Sequence, residues 1–205
     1  MIQELRPLLR FFRLVRVLDR INRNKNSKDE FVSKDHVEAA RTLATTKYKS
    51  VTKSYDFDGV HPDIVDFWKA MDKHCKRRNI PLWAFEFVRS KKRQNALKAE
   101  GRSQAAGGES PHQIHRIKWW YKVRVKQPDG TYKIEWRYEH RKYSMAVDIV
   151  HSSRAWNLTK KEWDVLGSIG KEIARKRNLK MEWGGDWKFY DPAHWEIKNW
   201  RDLLD

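Results

Sequence analysis

At 205 residues the chain has the length of one ordinary domain with room for an appendage. Its 44 Lys and Arg against 27 Asp and Glu leave a net charge of +17, and eleven tryptophans provide bulk for a core. The composition therefore excludes wholesale disorder and points to polyanionic partners: nucleic acid, anionic lipid, or the teichoic acids and lipopolysaccharide of bacterial envelopes. A single cysteine, Cys75, excludes an internal disulfide and a cysteine-rich zinc knuckle, so any metal must sit on His, Asp or Glu.

No apolar run approaches the roughly 18 residues of a membrane span. Arg6, Arg10, Arg13 and Arg16 interrupt the N-terminus where a secretory signal needs its apolar stretch, so synthesis in the cytoplasm without an export signal is expected. Residues 1–23 are predicted as an amphipathic helix. At about 100° per residue, Arg6, Arg10, Arg13, Arg16 and Arg20 form one stripe, with Leu5, Leu8, Phe11, Leu14 and Leu18 elsewhere. Such a helix either docks on its own domain or binds an anionic envelope or membrane surface. Residues 22–30 are polar and aperiodic, a linker, so 1–30 form an appendage to a domain over 31–205.

A helix is predicted from about Ser33, its cap, to Thr46. Another starts at Pro62, with Asp63 at its positive end, Lys76 to Arg78 at its negative end, and Ile64, Val65, Trp68, Met71 and Cys75 as its buried stripe. Residues 81–88 are a strand, and Ser90 caps a short helix to about Ala99, closed by Gly101. A glycine-rich loop covers 101–112. Residues 119–139 carry a hairpin signal, two runs rich in β-formers around Gln127-Pro128-Asp129-Gly130. Trp119, Trp120 and Trp136 are expected to pack this hairpin on its domain, with a glycan-stacking wall as the functional alternative.

Residues 144–150 are a strand. Thr159 and Glu162 make a capping box for a helix to about Arg177, with Trp163, Leu166, Ile169 and Ile173 on one face. Short strands over 179–183 and 194–197 flank a loop. The pattern is an α+β domain with a small antiparallel sheet and flanking helices.

Two constellations carry chemistry. Asp148 lies in a strand-like run, with His140 upstream and His151 just beyond, and spacing alone leaves open which histidine would share a metal with it. In Asp191-Pro192-Ala193-His194 a carboxylate precedes a histidine by three residues, with a proline stiffening the turn. That spacing lets His194 ligate a metal from a strand while Asp191 leans over an open coordination position and takes a proton from water.

The segment Trp183-Gly184-Gly185-Asp186-Trp187 and Asp191-Pro192-Ala193-His194-Trp195 resembles the end of one family. These are the zinc D-Ala-D-Ala carboxypeptidases and L-alanyl-D-glutamate endopeptidases of peptidoglycan, many phage endolysins among them. Further segments similar to the family occur in order: Asp58 to Pro62, Arg89 to Gln94 and Gly101 to Ser103. The resemblance spans about residues 51–197.

The family's remaining motif is Ser-x-His-x-x-Gly-x-Ala-x-Asp. Counting back seven from Asp148 lands on Arg141, and His140 is one residue off, which on a strand points it to the opposite face. Ser110-Pro111-His112 resembles the first half of the motif and Ser144 to Asp148 the second, with Ser144 at the family's glycine. The predicted hairpin, an insertion over about 113–143, separates the halves and returns the chain close to where it left.

The resemblance implies a hedgehog/D-Ala-D-Ala-peptidase-like fold and a zinc site of His112, Asp148 and His194 with water in the fourth position. It implies Asp191 as general base, and Arg89 as the partner of the oxyanion or of a substrate carboxylate. The expected activity is an endolysin-type zinc metallopeptidase of phage lysis, made in the host cytoplasm and acting on the cell wall in the periplasm. It would cut peptidoglycan stems at L-alanyl-D-glutamate, as a monomer, without specific nucleic acid. A D-Ala-D-Ala carboxypeptidase is the alternative within the family. A non-enzymatic binder of nucleic acid or envelope is the alternative outside it.

Overall fold

The computed structural model describes residues 34–44 and 55–205. The amphipathic helix expected over 1–23, the linker 22–30, the cap Ser33 and the helix end at Thr46 lie outside these residues. No described helix is long and apolar enough to cross a membrane.

In chain order the elements are α1 (Lys34–Leu43), α2 (Pro62–Lys76), β1 (Leu82–Glu86), α3 (Lys91–Ala99), β2 (His115–Lys126) and β3 (Tyr132–Tyr143). They continue as β4 (Ala146–His151), α4 (Lys160–Arg177), β5 (Met181–Trp183) and β6 (His194–Ile197). Two 3-10 turns, Gly184–Asp186 and Trp200–Leu203, complete the set. The strands form an antiparallel sheet in the order β1-β4-β6-β5 and a separate two-stranded ribbon, β2-β3. This is the α+β architecture expected.

Local chemistry starts α2 and α3. His61 caps α2 by accepting from Asp63 N through Nδ1, Pro62 sits in the first turn, and the Ser90 hydroxyl caps α3. Burial on α2 follows the expected stripe of Ile64, Trp68, Met71 and Cys75, but Phe67 is buried while Val65 is only partly so.

The period of two along a strand assigns the two faces of the sheet. Val147 and Trp195 are cross-strand partners, as are Trp183 and Trp195, and this face meets the helices: Trp195 lies against Phe67 of α2 at 4.8 Å between ring centroids. A methyl group on Gly167 or Gly170 of α4 would come within 2.4 Å of the Trp183 or Trp195 ring, so only glycine there lets two tryptophans lie flat on the helix. Asp148, His194, Glu86 and Glu196 face the other way.

Glu162 ties α1 to the start of α4. Its carboxylate, 2% exposed, accepts from Thr159 N (2.7 Å), Thr42 Oγ1 of α1 (2.6 Å) and both terminal nitrogens of Arg154 (2.6 and 2.7 Å). Burial alone would raise this carboxyl. The Arg154 pair, the Thr42 hydroxyl and the Thr159 cap outweigh it and hold the group down at about 2 against an ordinary 4.5. Such a group contributes stability that is fully present above its unfolded value and is lost as pH falls towards its folded one. Glu162→Gln is therefore expected to cost about 3 kcal/mol in urea unfolding at pH 7. The variant should also lose less stability than the unmodified chain between pH 4.5 and pH 2.

Candidate metal centre

Asp148 sits on β4, a central strand, directly across from His194 on β6. His112 reaches them from the loop before β2, and two backbone bonds hold that loop: Arg89 N donates to His112 O (2.8 Å) and Met145 N to Pro111 O (2.7 Å). The second bond joins the two stretches that the ribbon separates in sequence. His115 and Tyr143 are the first pair of that ribbon, so the chain leaves and returns at one point. The ribbon is longer than the expected 119–139, because β-forming residues outside those bounds, Ile117 and Tyr143 among them, continue the pairing.

Three donor atoms converge. His112 Nε2, His194 Nδ1 and Asp148 Oδ1 lie 3.1 Å from one another on every side. A tetrahedral ion with ligands at 2.0–2.1 Å needs donor separations of about 3.3 Å, so the triangle would take such an ion by opening about 0.2 Å on each side. All three residues are buried. Among the described residues this is the one group of His, Cys, Asp and Glu able to hold a metal ion.

Groups behind the donors settle which atoms are free. The Phe87 carbonyl oxygen lies 3.3 Å from His112 Nδ1 and accepts its proton, leaving the Nε2 lone pair for a cation. The Glu196 carboxylate, 3.0 Å from His194 Nε2, does the same for Nδ1. Sequence reasoning missed Glu196, although its signal was available: residues two apart on a strand share a face.

Arg89 donates from Nη2 to Asp148 Oδ2 (2.9 Å), from Nη1 to Gln94 (2.9 Å) and from Nε to Glu86 (2.7 Å). One Asp148 oxygen is thereby committed to the guanidinium and the other is turned to the histidines. Three of the five arginine donors are used, so Arg89 is built into the site as well as lining its groove.

The electrostatics follow. Burial would raise Asp148, but the neighbouring His112 and His194 hold it well below the carboxylate range. Burial would lower His194, yet its bonds to Asp148 and Glu196 raise it to about 10. A field that raises an imidazole this far attracts cations, and a metal ion would compete with that proton.

Asp191 lines the same groove, which has a volume of about 1090 Å³. Burial first, then the charge of Asp148, raises its carboxyl above the usual value. Among the described residues that carboxylate has no hydrogen-bond partner. Its loop is tightly held. Gly184 O accepts from Asp191 N (3.0 Å) and from Trp187 N (3.2 Å), and the Trp183 indole donates to Pro192 O (2.8 Å). A methyl group on Gly184 would come within 2.3 Å of Asp191 O, which makes that glycine indispensable to this loop.

The remaining histidines lie outside the triangle. His115 contacts Ser110 O (2.7 Å) and lies tilted against the Trp200 ring. His140 pairs with Asp205 (3.1 Å) on the ribbon, and His151 bonds Leu43 O (3.2 Å) beneath α1.

Fold and site together define an α+β domain with a buried group able to hold a metal ion beside an open groove. No protein-family model matches the chain, and no curated protein does. Among solved structures it is similar to the L-Ala D-Glu endopeptidase ChiX of Serratia marcescens, at 23% identity over 71% of this chain and 85% of that one, with a TM-score of 0.47.

Proposed function

We propose that the chain is a zinc-dependent peptidase that cleaves the stem peptides of peptidoglycan, in the manner of a phage endolysin, at the L-alanyl-D-glutamate bond. The observation that carries this reading is the triangle of His112, Asp148 and His194 beside the unpartnered Asp191 in one groove. A zinc ion held by the three donors supplies a Lewis acid for the scissile carbonyl and makes water more acidic.

The chain's own residues do the rest. Asp191 takes the proton of the attacking water and passes it to the departing amine. Arg89 fixes Asp148 and offers its two uncommitted N–H donors to a carboxylate of the stem. Phe87 O and Glu196 keep both imidazoles in the ligating tautomer.

Mass spectrometry of purified peptidoglycan digested by the zinc-loaded protein tests the reading. Fragments that end in L-Ala and begin with D-Glu are expected, with their formation abolished by a chelator and restored by zinc. Release of D-Ala alone would assign a D-Ala-D-Ala carboxypeptidase instead. No cleavage by folded, zinc-loaded protein would leave a basic envelope or nucleic-acid binder.

A further inference from the structure

The β2-β3 ribbon carries most of its net positive charge on one side. Residues of β2 alternate between two faces, and each cross-strand partner shares its face. One face holds Arg116, Lys118, Lys122, Arg124, Lys126 and Lys142, six cations with no carboxylate among them. The two glutamates of β3, Glu135 and Glu139, both point the other way. Asp205 neutralises the base of the cationic face, reaching Arg116 (3.2 Å), Lys118 (3.6 Å) and His140 (3.1 Å). Farther out, among the described residues, no carboxylate pairs with Lys122, Arg124 or Lys126.

The same face carries Trp120, Tyr132, Ile134, Trp136 and Tyr138, all about half exposed or more, with Trp136 at 61% and Ile134 at 55%. The expected packing holds for Trp119, which meets His61 and Tyr143. It fails for Trp120 and Trp136, which stay more than half exposed.

Three observations select the partner. Lys122 lies over the Trp136 ring at 4.9 Å and Arg124 over Tyr132 at 3.8 Å, so each ring has a cation on one face and only the other is left for a stacked base or sugar. Ile134 makes no use of a base, a sugar or a phosphate, and suits hydrocarbon. The tip is polar, with Asp129 accepting from Thr131 N and Oγ1, so the ribbon has no apolar point to insert. Cations interleaved with tryptophan, tyrosine and one aliphatic side chain on one face match a layer of anionic headgroups over acyl chains.

We propose that this face of the ribbon is a docking surface for anionic phospholipid bilayers. The proposal stands apart from the peptidase reading, and its test measures binding only. The full chain is sedimented with phosphatidylcholine vesicles, with and without about one third phosphatidylglycerol. Lys122→Gln/Arg124→Gln should weaken binding to the anionic vesicles about thirtyfold. Lys133→Gln/Arg137→Gln removes the same charge from the opposite face and should cost no more than about threefold.

Ile134→Asn, which leaves the charge unchanged, should also weaken vesicle binding severalfold yet leave binding to a single-stranded oligothymidylate unchanged. Circular dichroism confirms that each variant is folded. Equal losses in the two charge pairs, or full vesicle binding by the Lys122/Arg124 variant, would overturn the proposal. Loss of the oligonucleotide with vesicle binding retained would overturn it in favour of nucleic acid.

Discussion

Asp191→Asn is expected to lower peptidoglycan cleavage by about 10²–10⁴-fold, the usual contribution of a general base, while zinc content stays at that of the unmodified protein. Asp191 is not one of the three converging donors, so removing its charge takes nothing from the triangle. Asparagine has nearly the shape of aspartate, and the loop is held through backbone atoms, by Gly184 O and by Trp183 on Pro192 O. The variant should therefore keep its place in the groove and lose only the ability to accept a proton. Turnover measured beside metal analysis decides the matter, and a near-normal rate would remove Asp191 from the mechanism.

Zinc affinity should separate three variants into a graded series. His112→Ala removes one corner of a triangle with 3.1 Å sides and leaves two protein donors, so zinc should be lost on dialysis. Glu196→Gln keeps every donor but replaces the carboxylate that holds the His194 proton, and the usual cost of such a change is about 10–100-fold in affinity. His140→Ala should leave zinc in place, because His140 sits on the ribbon with Asp205 and Arg116. Metal stoichiometry and competition with a chromophoric chelator, with circular dichroism on each variant, read the series. If His140→Ala loses the metal and His112→Ala keeps it, the triangle is not the metal site.

Local rules carried the sequence reading furthest where one stretch of chain is self-sufficient. Thr159 and Glu162 start α4, Ser90 starts α3 and Pro62 lies in the first turn of α2, because a cap involves groups only two or three residues apart. Alternation and turn chemistry predict the ribbon, and α4 ends at Arg177 as expected, closed by Asn178 in the left-handed conformation. The residues of the group able to hold a metal were legible through resemblance to a motif, with its halves parted by the inserted hairpin. His140 was set aside on strand parity alone.

Tertiary structure decided what depends on groups distant in the chain. The bond from Met145 N to Pro111 O brings the two half-motifs together across the ribbon, and no local pattern encodes it. Arg89, expected at the substrate, also ties the site together, because Glu86, Gln94 and Asp148 converge on it from three elements. Val65 and Phe67 exchanged their expected burial because the Trp195 ring, seated over Gly170, meets the side of α2 where Phe67 lies. Composition and periodicity determined that this chain has a core, these helices and a cationic surplus, since those follow from each residue and its near neighbours. Which charges face one another, and which aromatic rings stay in water, required the fold, because burial and electrostatic fields are set by atoms that sequence places tens of residues apart.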